Sequence, residues 1–178
     1  MIKTSPCTTI LLTGGAASGK STFAISLALQ FSDPRMVIDT ALPDPIDARH
    51  LLWREQLIKQ NFTLITRSMD LDCLVLPARG TVILECLCHL TANEMFDERG
   101  NCEDRTAAIL DGIHNLCTQC STLIAVTNEV GTDHDAFNAG TRSYMKALGH
   151  INIALTKNFS YVYEMVCGIP IARKGLTI

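Results

Sequence analysis

The chain has 178 residues, of which 47% are hydrophobic and 19% charged, and this composition excludes a disordered protein. A net charge of -3 provides no basic field for a nucleic-acid backbone, so no nucleic-acid partner is expected. The apolar stretches are strand-sized, and the N-terminal segment lacks a long apolar core. We therefore expect neither a membrane span nor a signal peptide, and hence a cytoplasmic protein.

Strand and helix patterns alternate along the chain, which is typical of an α/β fold with a mostly parallel central sheet flanked by helices. In chain order, the first half predicts a strand at Thr8–Leu12, a helix at Ser21–Phe31, a strand at Met36–Thr40, a helix at Ile46–Gln60, a strand at Phe62–Thr66, a short helix at Arg67–Leu76 and a buried strand at Thr81–Leu87.

The second half begins with a charged, Gly-containing stretch that predicts a loop at Asp97–Asp104. It continues with a helix at Thr106–Gln119, a strand at Thr122–Val126, a helical segment at Ala136–Ala154, and a hairpin or bent strand made of Tyr161–Cys167 and Ile169–Ala172. There is no repeat or linker, so we expect a single nucleotide-binding domain over residues 1–178.

Eight cysteines are many for this length, and a chain without an export signal is expected to keep them reduced. Cys86 and Cys88 stand two apart in a strand-like run, which predicts that they share one face. Cys117 and Cys120 continue an apolar helical stripe. Buried free thiols are the favoured interpretation, and a metal or redox site formed with His114 is the alternative.

Residues 14–21 match the phosphate-binding pattern G-x-x-x-x-G-K-[ST], and they read Gly14-Gly15-Ala16-Ala17-Ser18-Gly19-Lys20-Ser21. The motif follows a predicted strand and precedes a predicted helix, so backbone N–H groups can donate to phosphate oxygens. We expect Lys20 to reach the β- and γ-phosphates as a catalytic residue and the Ser21 hydroxyl to bind Mg²⁺. A Gly-rich turn without a ligand is the alternative.

A carboxylate that helps to hold Mg²⁺ is expected at the end of another buried strand. Glu85 directly follows an apolar run and would bind the ion directly or through water. Asp39, which ends the second predicted strand, is a further candidate. For Glu85 the alternative is an ordinary capping or edge carboxylate.

Two specific stretches stand in an order and spacing that one enzyme family shares. T-G-G-A-A-S-G-K-S begins at Thr13, and V-T-N-E-V-G occupies residues 126–131. They resemble T-G-G-A-R-S-G-K-S and V-[ST]-N-E-V-G of the bifunctional adenosylcobinamide kinase/adenosylcobinamide-phosphate guanylyltransferase family. Shorter similarities to this family lie at Val37–Ala41, at Ile83–Leu87 with Asn93, at Arg142–Asn152, at Gly168–Pro170 and at Lys174.

The resemblance implies a RecA-like P-loop enzyme with two reactions at one nucleotide site, with Mg²⁺ as cofactor and a corrinoid as partner. ATP or GTP first phosphorylates the aminopropanol hydroxyl of adenosylcobinamide. A histidine then takes GMP from GTP and passes it to adenosylcobinamide phosphate. The resemblance also places Asp39, Thr40 and Ala41 at the nucleotide and implies a homo-oligomer built on a trimer.

The nucleophilic histidine is the main departure from the family pattern. An ungapped comparison puts the family's histidine near Trp53 or Arg54, so His50 is the candidate on the predicted Ile46–Gln60 helix. Compensating insertions and deletions around the helix would bring it into place. The alternative is a structural histidine, because His50 and Trp53 lie on one helical stripe.

Three further residues are candidates for contact with the substrate. Asn128 and Glu129 follow a buried strand at the carboxyl edge of the sheet, where ligands collect in open α/β sheets. Arg142 could bind phosphate through its planar donor fork. The alternatives are a turn-forming role for the first two residues and a solvated helix charge for Arg142.

The leading function is an adenosylcobinamide kinase that also transfers GMP through a GMP-histidine intermediate, with ATP and GTP both open as phosphate donors. A kinase that has lost the second step is a variant of this function. Two alternatives come from other classes: a P-loop kinase for another small alcohol and a non-catalytic nucleotide-binding regulator.

Overall fold

The computed structural model describes residues 7–42, 47–97, 99–129 and 137–175. Within them the strands are β1 (Thr8–Thr13), β2 (Arg35–Asp39), β3 (Phe62–Thr66), β4 (Thr81–Glu85), β5 (Thr122–Val126), β6 (Tyr161–Val166) and β7 (Ile169–Lys174). The helices are α1 (Lys20–Ala28), α2 (Ala48–Lys59), α3 (Leu87–Met95), α4 (Thr106–Gln119) and α5 (Ala139–Asn158).

The seven strands form one sheet in the order β3-β2-β4-β5-β1-β6-β7. β7 runs antiparallel to β6, and the other pairings are parallel. Helices α1, α4 and α2 pack on strands, while α3, α4 and α5 pack on one another. The prediction of a mostly parallel α/β sheet flanked by helices is confirmed.

The central strands carry the core because their sequences are nearly continuous apolar runs. β5 is buried along its whole length, and β1 is buried from Thr9 to Leu12. Runs of this kind are typical of strands covered on both faces. Because these strands are packed on both faces, the core holds their carboxyl ends in place.

The register of the parallel strands brings functional residues to one edge of the sheet. Asp39 on β2 is the direct Cα partner of Glu85 on β4, and Leu12 on β1 pairs with Val126 on β5. Each residue lies at or one position before the carboxyl end of its strand. The segments that follow these strands therefore gather at the same edge, where open α/β sheets bind ligands.

Two predicted elements were wrong between residues 67 and 95. The predicted helix at Arg67–Leu76 is a 3₁₀ turn at Leu71–Cys73 alone. The predicted strand at Thr81–Leu87 ends at Glu85, and helix α3 follows where the sequence analysis predicted none. Apolar residues resume directly after Glu85 without a Gly or Pro to mark the turn, so periodicity alone did not separate the elements.

The start of α3 also corrects the interpretation of two cysteines. Cys86 lies between β4 and α3, and Cys88 lies in α3, so they do not share a strand face. Both thiols are nevertheless buried. Cys73, Cys102 and Cys167 are exposed, so burial describes only part of the cysteine set.

The thiols at the opposite edge of the sheet approach one another. Cys7 Sγ lies 3.5 Å from Cys120 Sγ, and Cys7, His114 and Cys117 line one cavity of about 450 Å³. Among the residues described here, no three His, Cys, Asp or Glu side chains are arranged to hold a metal ion. In the same residues no helix is both long and apolar enough to cross a membrane.

The remaining element predictions were close. β3, α4 and β5 have the predicted bounds, and β6 and β7 form the predicted hairpin. α1 ends at Ala28, three residues before the predicted end at Phe31, and α5 runs on to Asn158. The predicted start of α2 at Ile46 lies outside the described residues.

Candidate active site

The P-loop joins β1 to α1 and adopts a backbone that its sequence permits. Gly14 and Gly19 have φ values of 129° and 95°. A Cβ on Gly14 would stand 2.5 Å from the Met165 carbonyl oxygen, so only glycine fits there. The Gly168 N–H donates to the Ser18 carbonyl at 2.9 Å, which fastens the β6–β7 turn to the loop.

Lys20 is folded back into the loop. Its side chain is 7% exposed, and Nζ donates to the Gly14 and Gly15 carbonyls at 3.0 and 2.6 Å and to Ser18 Oγ at 3.4 Å. Burial lowers the pKa of Lys20, and the nearby charge of Glu85 opposes this shift. The ammonium group therefore stands in the loop with neutral partners that phosphate oxygens can replace.

Ser21 and Glu85, the two residues that the sequence predicted to hold Mg²⁺, meet beside the loop. Ser21 Oγ donates to Glu85 Oε1 at 2.8 Å, and Glu85 Oε2 is buried without a partner in the described residues. Burial raises the pKa of Glu85 to about 7, while Ser21 and Lys20 oppose the shift. A buried oxygen without a partner and an adjacent hydroxyl are hard ligands that fit Mg²⁺.

A cavity of about 410 Å³ opens over these groups. It is lined by the loop from Ala16 to Ser21, by Thr22, Glu85, Cys86, His89, Val126 and Asn128. Asn128 therefore faces the space that a nucleotide phosphate chain would fill. Its carbonyl accepts from Asn152 Nδ2 at 3.3 Å, and Asn152 Oδ1 accepts from Thr127 Oγ1 at 2.8 Å.

Glu129 lies beside the same loop. Its N–H donates to the Gly14 carbonyl at 3.4 Å, and its carboxylate accepts from Thr13 Oγ1 at 3.5 Å. Both contacts join the segment after β5 to the start of the P-loop. Val130 and Gly131, the rest of the N-E-V-G stretch, lie outside the described residues.

The end of β2 is tied to the end of β4 by Thr40, which is fully buried. Thr40 Oγ1 donates to the Cys86 carbonyl and accepts from the Cys86 N–H, both at 2.8 Å. Asn93 Nδ2 donates to the Thr40 carbonyl at 2.8 Å. The Thr40 side chain is therefore occupied by backbone groups and holds the two strand ends in place.

Asp39 is the charged centre of the second part of the site. Its side chain is 1% exposed, and Oδ2 accepts from Arg54 Nη1 at 2.6 Å. Oδ1 accepts from the Ala41 N–H at 3.2 Å, and His50 Nε2 lies 3.2 and 3.1 Å from the two carboxylate oxygens. The buried charge is thus surrounded by donors, as a stable buried carboxylate requires.

His50 is held by its neighbours on α2. Asp47 caps the helix by accepting from the Arg49 and His50 N–H groups at 3.1 Å. The imidazole ring stacks on Trp53, with ring centroids 5.5 Å apart and an angle of 19° between planes. His50 therefore stands at the site, joined to the end of β2, rather than in the apolar core.

His50 opens onto a second cavity of about 480 Å³. Its wall contains Ala17, Ser21, Asp39, Ala41, Asp47, Arg49, His50, Trp53, Glu85 and His89. Ala17, Ser21, Glu85 and His89 also line the P-loop cavity. The two spaces therefore adjoin, and a nucleotide held by the P-loop would lie next to the imidazole.

Arg142 is placed differently from the other candidates. It is exposed in the first turn of α5, donates to the Phe137 carbonyl, and lines neither cavity.

The sequence analysis did not assign a function to two residues of the site. Arg54 entered only as an alignment position. His89 was given no role because no helix was predicted after the strand at Thr81–Leu87, whereas the structure places it in α3, four residues after Glu85.

Comparisons with known proteins agree on one family. The model of the cobinamide kinase/cobinamide phosphate guanyltransferase family matches residues 10–172. The chain is similar to the bifunctional adenosylcobalamin biosynthesis protein CobU of Escherichia coli K12, with 26% identity over 179 residues that cover 93% of this chain and 99% of that protein. Similarity to CobU of Salmonella typhimurium LT2 is 28% over 186 residues, with the same coverage.

A solved structure with little sequence similarity bears on the fold alone. A protein from Pyrococcus horikoshii OT3 superposes with a TM-score of 0.55 at 10% identity. The superposition covers 98% of this chain and 89% of that protein. The overall fold of this chain thus recurs in a protein of different sequence.

Proposed function

The chain belongs to the cobinamide kinase/cobinamide phosphate guanyltransferase family, and from this premise we propose how its residues divide the two reactions. The family identified in the sequence is confirmed, and the chain is an enzyme of cobalamin biosynthesis. One observation carries the proposed division of labour: Ser21 and Glu85 line both the P-loop cavity and the cavity of His50. A single bound nucleotide can therefore meet both sets of groups.

The kinase step rests on the P-loop. Loop N–H groups and Lys20 would bind the β- and γ-phosphates of ATP or GTP, with Lys20 exchanging the carbonyls of Gly14 and Gly15 for phosphate oxygens. Ser21 and Glu85 would hold Mg²⁺, which neutralises charge on the phosphates when bound. The hydroxyl of adenosylcobinamide attacks the γ-phosphorus, the bond to the β-phosphate oxygen breaks, and the hydroxyl proton is released.

The guanylyl step rests on His50. The neutral imidazole attacks the α-phosphorus of GTP, and the bond to the bridging oxygen breaks, so that pyrophosphate leaves and GMP stays on the histidine. A phosphate oxygen of adenosylcobinamide phosphate then attacks the same phosphorus. The nitrogen–phosphorus bond breaks, and adenosylcobinamide-GDP forms. The adjoining cavities support this step because the phosphate chain and the imidazole share one space.

The proposal also covers the contacts with substrate, the location of the protein in the cell and its oligomeric state. Asn128 and Glu129 would meet the nucleotide or the corrinoid phosphate at the end of β5, whereas Arg142 would reach a substrate only beyond the two cavities. The chain would act in the cytoplasm as one domain. It would form a homo-oligomer, for which the exposed apolar Ile169 on the β6–β7 hairpin offers a contact surface.

The test is a product analysis by mass. The pure protein is incubated with adenosylcobinamide, Mg²⁺ and GTP, and the corrinoid products are identified by mass spectrometry. We expect adenosylcobinamide-GDP from the unaltered chain and adenosylcobinamide phosphate alone from His50→Ala. If the unaltered chain also stops at the phosphate, the guanylyl step is wrong, and if no corrinoid changes with either ATP or GTP, the whole assignment of substrate is wrong.

A further inference from the structure

We infer that Asp39 is a positioning residue that sets the tautomer of His50, so that Nδ1 is the atom that takes up GMP. This inference rests on the proposed guanylyl step and adds to it the reacting atom and the group that selects it. The inference is supported by the contacts between the end of β2 and the first two turns of α2.

The partners of the Asp39 carboxylate fix the direction of its hydrogen bond with His50. Both carboxylate oxygens lie within 3.2 Å of His50 Nε2. Oδ2 already accepts from the Arg54 guanidinium at 2.6 Å, and Oδ1 accepts from the Ala41 N–H at 3.2 Å. A carboxylate surrounded in this way offers only acceptors, so Nε2 must supply the proton.

The other ring nitrogen of His50, Nδ1, faces the cavity without a hydrogen-bond partner among the described residues. In a neutral imidazole one nitrogen carries the proton and the other carries the lone pair, so a proton on Nε2 leaves Nδ1 as the nucleophilic atom. Among the described residues no hydrogen bond reaches Nδ1, and it is not among their buried atoms without a partner. The His50 side chain is 19% exposed and lines the cavity beside the P-loop.

Asp39 also stabilises the imidazole ring during the reaction. When Nδ1 attacks the α-phosphorus of GTP, the ring gains positive charge while Nε2 keeps its proton. The Asp39 carboxylate lies against that proton and stabilises the charged ring, as a carboxylate does for a catalytic imidazolium. When the phosphate of the corrinoid displaces the ring, the electron pair returns to Nδ1, and the pairing with Asp39 is unchanged.

Arg54 and Trp53 hold this arrangement in place. Arg54 bridges Asp39 and Thr66 Oγ1, at 2.6 and 3.0 Å, so the carboxylate cannot turn away from the ring without losing the guanidinium. Trp53 stacks on the imidazole and limits its rotation. The imidazole is thus oriented by groups on both sides. A nucleophile that is held in this way is already aligned for attack.

Asp39→Asn tests the inference because it keeps the shape of the side chain and reverses the hydrogen bond to His50, although the Ala41 N–H also loses its acceptor. The remaining amide oxygen would stay with Arg54, and the NH₂ group would donate to Nε2, which forces the ring proton onto Nδ1. We expect formation of the GMP–protein adduct to slow by at least about 10²-fold, much more than corrinoid phosphorylation slows. Asp111→Asn, an exposed change on α4, is the matched control and should alter neither rate.

Two spectroscopic readouts separate positioning from a merely structural role. Nitrogen-15 NMR of the unaltered protein should show the Nε2–H tautomer of His50, and Asp39→Asn should show the Nδ1–H tautomer. Phosphorus NMR of the protein treated with GTP should place GMP on Nδ1. The measurements on the unaltered protein remain decisive if Asp39→Asn does not fold.

The outcomes are distinguishable. An Nδ1–H tautomer in the unaltered protein, or GMP bound to Nε2, overturns the inference while the guanylyl step stands. A protein that makes adenosylcobinamide phosphate but never carries GMP on His50 overturns the proposed guanylyl step itself, and the inference with it.

Discussion

The two parts of the active site are encoded in different ways. The P-loop part is local: Lys20 and Ser21 lie inside one motif, and Lys20 bonds to carbonyls at most six residues away. The α2 part is tertiary: Asp39 meets His50 and Arg54 across 11 and 15 residues of chain. Phosphate binding is thus fixed by a short motif, whereas the orientation of the nucleophile depends on how a helix packs beside a strand end.

The largest expected effect comes from removing the cation of the local part. Lys20→Ala should lower both phosphorylation and GMP transfer by at least about 10²-fold, because charge stabilisation at the phosphates serves both reactions. Rates of the two steps with GTP and Mg²⁺ check this, with the exposed Lys157→Ala as control. If Lys20→Ala affects one reaction only, the two parts do not share a nucleotide.

The next effect is on stability and depends on pH. Burial raises the pKa of Glu85 to about 7 in the folded protein, whereas an unfolded glutamate titrates near about 4.3. Between these values the unfolded chain releases a proton that the folded chain keeps, so stability falls as pH rises through this window and stays lower above it. Glu85→Gln has no such loss.

We therefore expect Glu85→Gln to be more stable than the unaltered protein by about 3–4 kcal/mol at pH 8 without Mg²⁺, and by much less at pH 4. Urea unfolding at the two pH values measures the difference. Glu55→Gln, which replaces an exposed glutamate on α2, should show no comparable change with pH. An equal gain at both pH values would contradict the raised pKa.

The smallest effect concerns the residue that joins the two parts. Thr40→Val removes the hydroxyl that accepts from the buried Cys86 N–H and leaves that donor without a partner. The expected loss of stability is about 1–2 kcal/mol by urea unfolding. Thr40→Ser keeps the hydroxyl and should lose less, and equal losses would show that the methyl group contributes as much to stability as the hydrogen bond does.

The same contrast explains how far the sequence could be interpreted. The P-loop, the strand before it and Glu85 were predictable because each depends on a motif or an apolar run. Helix α3 was not, because no Gly or Pro between Leu84 and Leu87 marks the end of the strand. The Asp39–Arg54 pair was not either, since it joins a strand to a helix that a single sequence does not place in space.

For His50, the sequence predicted one feature of the side chain and could not predict another. Its helical stripe with Trp53 correctly indicated that the two rings share a face, but it could not say whether that face meets the core or the cavity. The structure adds Asp39 as the partner and places the ring beside Ser21 and Glu85 in one cavity wall. The nucleophilic role of His50 stays a prediction, now with a stated geometry.

One measurement tests this account most directly. The protein is incubated with GTP and Mg²⁺ without corrinoid, digested at neutral to alkaline pH, and searched by mass for a peptide that carries GMP. We expect the modification on His50 and its absence from His50→Ala. GMP on another residue, or no GMP on a protein that still phosphorylates adenosylcobinamide, would contradict it.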